Sequence, residues 1–243
     1  MEARAALKGV VVVWLGLSAA SCSVDNRELS VQGGAGTGST AGMSGLDADA
    51  GDGNTAPPPL PVCDYSAGVS EGCDTLVSNP GFDRDTAGWK AEDTTVAMSW
   101  RTDDATENSE SGSLSVVNTL YGTAAGFASR AAAQCLTTEP GKSYAFALDV
   151  FIPKGQGEGL EGSDYLASAG LSVIFYTSKH CDEFTLDSKS SELLQDAGVW
   201  AHREGRAVAP KSAQSMLIRL VTLKEFQQYS FEAHFDNVLV KAE

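Results

Sequence analysis

The sequence carries 5 cysteines, 3 histidines and 32 carboxylate side chains, and these set the chemistry open to it. Cys63, Cys73, Cys135 and Cys181 form an even set with no C-x-x-C pair, so a zinc site built from all four is a poor fit. In an exported chain such a set reads as disulfides. Sequence alone leaves three pairings open. Cys63–Cys73, a short loop at the domain edge, with Cys135–Cys181 joining distant strands, is the favoured one. His180, His202 and His234 sit in no metal or nucleophile motif such as H-E-x-x-H. Carboxylates are numerous enough to include a glycosidase pair, but no long insertion is present to build a deep cleft over them. The expectation is therefore a chain that catalyses nothing. Two loops imitate ligand sites. Asp47 to Gly53 hints at a calcium loop, yet Gly51 stands at its fifth position and Pro58 at its twelfth. Gly33 to Gly38 matches a phosphate loop in composition only, with no strand before it and no helix after it.

The fifth cysteine, Cys22, has different company. Arg4 and Lys8 precede an apolar run, Gly9 to Leu17, that is too short to span a bilayer. Ser18-Ala19-Ala20-Ser21 then leads into Cys22. The pattern is similar to a lipoprotein signal over 1–22, with Cys22 as the acylated residue. Ala19 stands where Leu is commoner. Two or more acyl chains give stable anchoring. Ser23 rather than Asp follows the cysteine, which points to the outer membrane or cell surface. From 23 to 62 the chain is rich in Gly, Ser, Thr, Ala, Asp and Pro and has little to bury, so it is expected to act as a flexible spacer. Pro57 to Pro59 stiffens its end. The remainder, 63–243, is long enough for one domain with a proper core.

With 17 basic against 32 acidic residues the formal net charge is −15. Such a chain is repelled by phosphate backbones and lacks the basic patch that nucleic-acid binding requires. A lipid bilayer, through the anchor, and another protein stay open as partners.

The elements that must position any site are short and strand-like. Thr94–Trp100, Ser113–Asn118, Phe127–Leu136, Tyr144–Ile152, Leu171–Thr177, Trp200–Ala209, Met216–Leu223 and Ser230–Lys241 recur between Gly/Pro turns such as Glu139-Pro140-Gly141-Lys142. This spacing predicts an all-β antiparallel sandwich or barrel. Tyr144, Phe146, Leu148, Val150 and Ile152 share the face expected to be buried. Ser191–Asp196 has room for one helical turn at most.

Leu76-Val77-Ser78-Asn79-Pro80-Gly81-Phe82-Asp83 with Gly88-Trp89 resembles the opening of the galactose-binding-like jelly-roll carbohydrate-binding modules of families four, nine and twenty-two. Phe235-Asp236-Asn237-Val238-Leu239-Val240 resembles their close, and Pro140-Gly141-Lys142-Ser143-Tyr144 the turn before a central strand. The resemblance covers about 170 residues, with Pro80 and Asp83 departing from the usual Gly and Glu. It implies a jelly-roll β-sandwich and a structural calcium held by Asp83 and Asp236 with nearby carbonyls. It also implies that Trp89 and Trp200 belong to the core. Sugar binding needs an aromatic platform with polar neighbours. Trp100, Tyr121 and Tyr229, at strand ends or in loops, are the platform candidates, with Tyr165 and Phe226 behind them. Asp149, Tyr176, Glu232 and His234 lie opposite the inferred core faces and are the groove candidates. Arg101, Gln227 and Gln228 add donors. The functional expectation is a membrane-anchored carbohydrate-binding protein. A protein-interaction or adhesion module, or a structural envelope protein, is the alternative.

Overall fold

A computed structural model describes residues 58–68, 70–156 and 165–243. The signal, Cys22 and nearly all of the spacer fall outside the described residues. The described part lies within one compact unit, Thr55–Glu243.

Among the described residues ten strands run in chain order: β1 Lys90–Ala91, β2 Val96–Arg101, β3 Ser113–Asn118, β4 Phe127–Thr137, β5 Ser143–Phe151, β6 Ser168–Tyr176, β7 Thr185–Ser190, β8 Trp200–Val208, β9 Ser215–Glu225 and β10 Phe231–Ala242. They form two five-stranded sheets. The front sheet has the order β1-β4-β9-β6-β7 and the back sheet β2-β3-β10-β5-β8. Every pairing is antiparallel, so the expected all-β jelly-roll sandwich is what the chain forms.

The alternation of β5 explains why the sheets pack. Tyr144, Phe146, Leu148 and Val150 point into the core against Leu171, Val173 and Phe175 of β6 and Met216, Ile218 and Leu220 of β9. Each such side chain contributes roughly 1.5–3 kcal/mol on burial. Close packing forces a glycine into β8. Gly205 pairs with Phe146, and a Cβ there would lie 2.4 Å from the Phe146 ring. Asn118 spans the two sheets, its Nδ2 donating to the carbonyls of Ala128 and Thr222.

Both favoured disulfides are present. Cys63–Cys73 closes a loop of the entry segment with Cα atoms 5.7 Å apart, and Cys135–Cys181 ties β4 to the turn after β6 with Cα atoms 6.0 Å apart. The segment 191–196 contains no helical turn. It runs extended, and Leu194 bridges backbone to backbone with Ala169.

The entry segment crosses the outer face of the back sheet. Leu60, Tyr65 and the Cys63–Cys73 pair bury Ala145 and Ala147 of β5 and Leu239 of β10. Polar bonds fasten it: the Leu60 N–H donates to Glu204 (2.6 Å), Arg206 to the Pro58 carbonyl (2.7 Å) and the Tyr65 N–H to Asn237 (3.2 Å). The entry segment thus covers one half of this face; on the other half Ser99 is exposed, Phe151 and Trp200 are half-buried, and Ser115, Asp149 and His234 are buried.

Candidate functional site

The other half of the back sheet's outer face carries a row of residues set by strand register. Ser99 of β2 pairs with Ser115 of β3, Ser115 with His234 of β10, His234 with Phe151 of β5, and Phe151 with Trp200 of β8. Successive strands lie about 4.8 Å apart, so the row spans about 19 Å. Its rings are in contact. The Phe151 centroid is 5.4 Å from that of Trp200 and 5.6 Å from that of His234.

Polar groups line the same row. Glu232, two residues before His234 and on the same face, accepts from Ser115 Oγ (2.7 Å) and Arg101 (2.9 Å), and His234 Nε2 lies 3.0 Å away. Burial pushes the Glu232 carboxyl up, but the hydrogen bonds from Ser115, His234 and Arg101 outweigh it and hold the group below the usual range. His234 is buried, and its Nδ1 stands 2.6 Å from Asp103 Oδ2, at ion-pair distance without hydrogen-bond alignment. One register step further, Asp149 pairs with His202, whose Nδ1 lies 2.9 Å from the carboxylate. Asp149 also accepts from Asn237 Nδ2 (3.0 Å).

Three of the expected groove residues, Asp149, Glu232 and His234, therefore share one face. Tyr176 does not join them: it lies on β6 in the front sheet. Trp100 is not a platform. Its ring packs against the core, and its Nε1 donates to the Phe82 carbonyl (2.7 Å). Trp200 corrects the opposite expectation, since it faces outward beside Phe151 while Ala201 meets the core. Trp89 is buried in the core as expected. Phe151, His202, Asp103 and Trp200 were missed as site residues. Phe151 follows the same alternation as Asp149, a signal the sequence does carry. In Trp200–Val208 neither face is uniformly apolar, so the sequence gives no direction for Trp200.

Tyr121 and Tyr229 come together in loops away from this row. Their rings stack with centroids 4.7 Å apart and planes 4° apart.

The opening turn and the closing strand also meet. The Val238 N–H donates to the Pro80 carbonyl (2.9 Å), at a register shift in β10 between Asp236 and Leu239. Backbone strain gathers there: Asn79, Phe82 and Asn237 have φ of 51°, 47° and 50°. Such strain persists only where surrounding contacts over-determine it. Asp236 is buried, and its two oxygens accept the N–H groups of Ala105 (3.0 Å) and Asn237 (2.7 Å). Burial pushes its carboxyl up to about 8, with Asp104 and Asp149 adding repulsion against the two N–H bonds. Asp104 goes the other way. Burial raises it, but bonds from Thr106, Asn108 and Ser111 hold it below the usual range. Asp83 is exposed and accepts from Ser111 Oγ (3.3 Å). Among the described residues no group of three or more His, Cys, Asp or Glu side chains is arranged to hold a metal ion. An ion at this corner would draw on the two carboxylates and on backbone oxygen, a hard donor set suited to calcium in type.

Two concavities lie on the front sheet. One, of about 450 Å³, is lined by Lys90, Gln134, His180 and the Cys135–Cys181 bridge, and the other, of about 360 Å³, by Phe127, Tyr165, Leu166 and Leu223.

No protein-family model matches the chain, and no curated protein matches it. Solved structures do. The chain is similar to the CBM22-1-GH10 modules of the Clostridium thermocellum xylanase 10B complexed with xylohexaose, at 16% identity and a TM-score of 0.47. That match covers 69% of this chain but only 28% of that one. The CBM22-2 xylan-binding domain of Paenibacillus barcinonensis Xyn10C matches at 10% identity and a TM-score of 0.47, over 68% of this chain and 98% of that one. A cyclase from Fischerella matches at 15% identity and a TM-score of 0.45, over 70% of this chain and 96% of that one. Carbohydrate-binding modules and an enzyme thus both stand among the structural neighbours.

Proposed function

We propose that the domain binds carbohydrate along the half of the back sheet's outer face that the entry segment does not cover, and does so without turnover. One observation carries the reading: the half-buried rings of Trp200 and Phe151 are in contact beside the buried His234, and Glu232, Arg101 and Asp103 place hydrogen-bonding groups along the same row. Ring faces take the apolar face of a pyranose, and fixed polar groups at their edge take its hydroxyls. The entry segment borders this proposed trough, whose row from Ser99 to Trp200 spans about 19 Å across the strands with Ser115 and His234 buried along it.

The anchor belongs to the same proposal. A domain held at the envelope by an acylated Cys22, on a spacer of roughly 35 Å root-mean-square reach, captures polymer at the surface. A calcium ion shared by Asp83 and Asp236 would neutralise a corner where three buried or half-buried aspartates converge. It favours the folded state, so chelation should lower the melting temperature, and an unchanged value with EDTA removes the ion from the proposal.

The test is isothermal titration of the purified full chain with xylohexaose, cellohexaose, laminarihexaose and mannohexaose, with each solution then assayed for cleavage products. Trp200→Ala and Phe151→Ala should weaken binding roughly tenfold each while the fold stays intact. Binding unaffected by either variant defeats the trough, and released sugar ends defeat the non-catalytic reading. A protein partner is the second reading, favoured by the exposed Phe127, Tyr165 and Leu166 around the 360 Å³ concavity. Failure of every glycan would shift weight to it.

A further inference from the structure

The only stacked aromatic pair among the described residues lies outside the trough, and a buried charge holds it. Lys224, near the end of β9, is 1% exposed. Its Nζ donates to the carbonyls of Leu120, Glu225 and Gln228. Burial depresses its basicity, and Arg130 adds repulsion. Burying an ammonium is costly unless it is fully hydrogen-bonded, so three carbonyls converging on one Nζ form a stiff node. The node joins the β3–β4 and β9–β10 loops at the residues next to Tyr121 and Tyr229. These two tyrosines then stack 4.7 Å apart while 46% and 77% exposed. Phe226 packs under the same loops against Gly122 and Gly126, and the Gly122 N–H donates to the Phe226 carbonyl (2.9 Å).

Packing alone does not account for two tyrosines braced in a single geometry and left in water. We infer that the Tyr121–Tyr229 stack is a second, pre-organised carbohydrate platform that takes one pyranose ring on its solvent side. This inference rests on the reading that the domain binds glycans but not on where the trough lies. The surroundings suit a sugar. Gln227 and Gln228, next to Tyr229 in the chain, are held in place by their amides donating to the Thr123 and Gln156 carbonyls. A notch of about 90 Å³ in the same two loops, lined by Ala124, Ala125, Gly126, Glu225 and Gln227, has room for a hydroxymethyl-sized group. Two rings are also far smaller than the ~800 Å² per partner of a stable protein interface. Lys224 is a positioning residue here, since it touches the loops and not the ligand.

The experiment titrates the full chain with the same four hexasaccharides while following ring resonances of Tyr121 and Tyr229 by NMR. Tyr229→Ala should weaken binding roughly tenfold, and Tyr229→Phe, which keeps the stack, should restore it. Lys224→Met should weaken binding to a similar degree by releasing the loops. If Lys224→Met fails to fold, the Tyr229 pair of variants still decides. Binding that Trp200→Ala weakens, with tyrosine resonances unmoved and Tyr229→Ala without effect, overturns the platform and leaves the trough standing. Shifted tyrosine resonances with loss in Tyr229→Ala and no effect of Trp200→Ala support the platform and overturn the trough. No binding to any of the four overturns both.

Discussion

Replacing Asp236 with Asn should flatten the pH dependence of stability in the absence of metal ions. An ordinary aspartate titrates near 3.9, whereas burial among Asp104 and Asp149 lifts Asp236 to about 8. The folded state therefore holds a proton that the unfolded state has released throughout the window from about 4 to about 8. For a raised value the stabilisation is complete below the unfolded pKa and is lost as pH rises through the folded one. One proton corresponds to about 1.36 kcal/mol per pH unit, so pH 5 to 7 should cost about 2.7 kcal/mol through this group. For a domain of this size that is a fall of roughly 5–10 °C in melting temperature. Asp104, held below the usual range, acts in the opposite sense and below about pH 4, outside this window. Asn offers one acceptor to the N–H groups of Ala105 and Asn237, which costs about 1–3 kcal/mol at every pH. The slope, rather than the absolute stability, is thus the readout. Differential scanning calorimetry in EDTA at pH 5, 6, 7 and 8 measures it. Parallel curves for wild type and Asp236→Asn would refute the buried-carboxylate argument.

Three other outcomes follow from the packing. Cys135→Ser opens a closure of 46 residues and should cost about 3–4 kcal/mol in urea unfolding, while thiol titration of the unfolded, unreduced wild-type domain should find none of its four cysteines free. Trp100→Ala should destabilise the fold by about 3 kcal/mol, because its ring is in the core and its N–H is bonded to Phe82; glycan affinity should not change in the variant that remains folded. Gly205→Ala should cost about 1–3 kcal/mol by driving a methyl into the Phe146 ring, and Gly205→Ala with Phe146→Leu should recover part of it.

Residue pattern by itself determined the sandwich. Period-two apolar runs between Gly/Pro turns can bury one face only by stacking two antiparallel sheets, and eight of the ten strands were legible that way. The two that escaped were β1, two residues long, and β7, whose Thr-Leu-Asp-Ser-Lys-Ser is exposed at a sheet edge and has no apolar face to announce it. The favoured cysteine pairing also matched the structure. The tertiary structure decided the site. Alternation says which side of its own strand a residue occupies, but not which sheet the strand joins. Tyr176 and Asp149 were equivalent in the sequence and lie on different sheets in the fold. In β8 the apolar and polar residues are mixed on both faces, so only pairing with β5 turned Trp200 outward onto Phe151 and left Trp100, at the opposite edge of the sheet, facing in. The meeting of Tyr121 with Tyr229, 108 residues apart in the chain, was beyond any local pattern, because it depends on one buried lysine reaching the carbonyls of two loops at once.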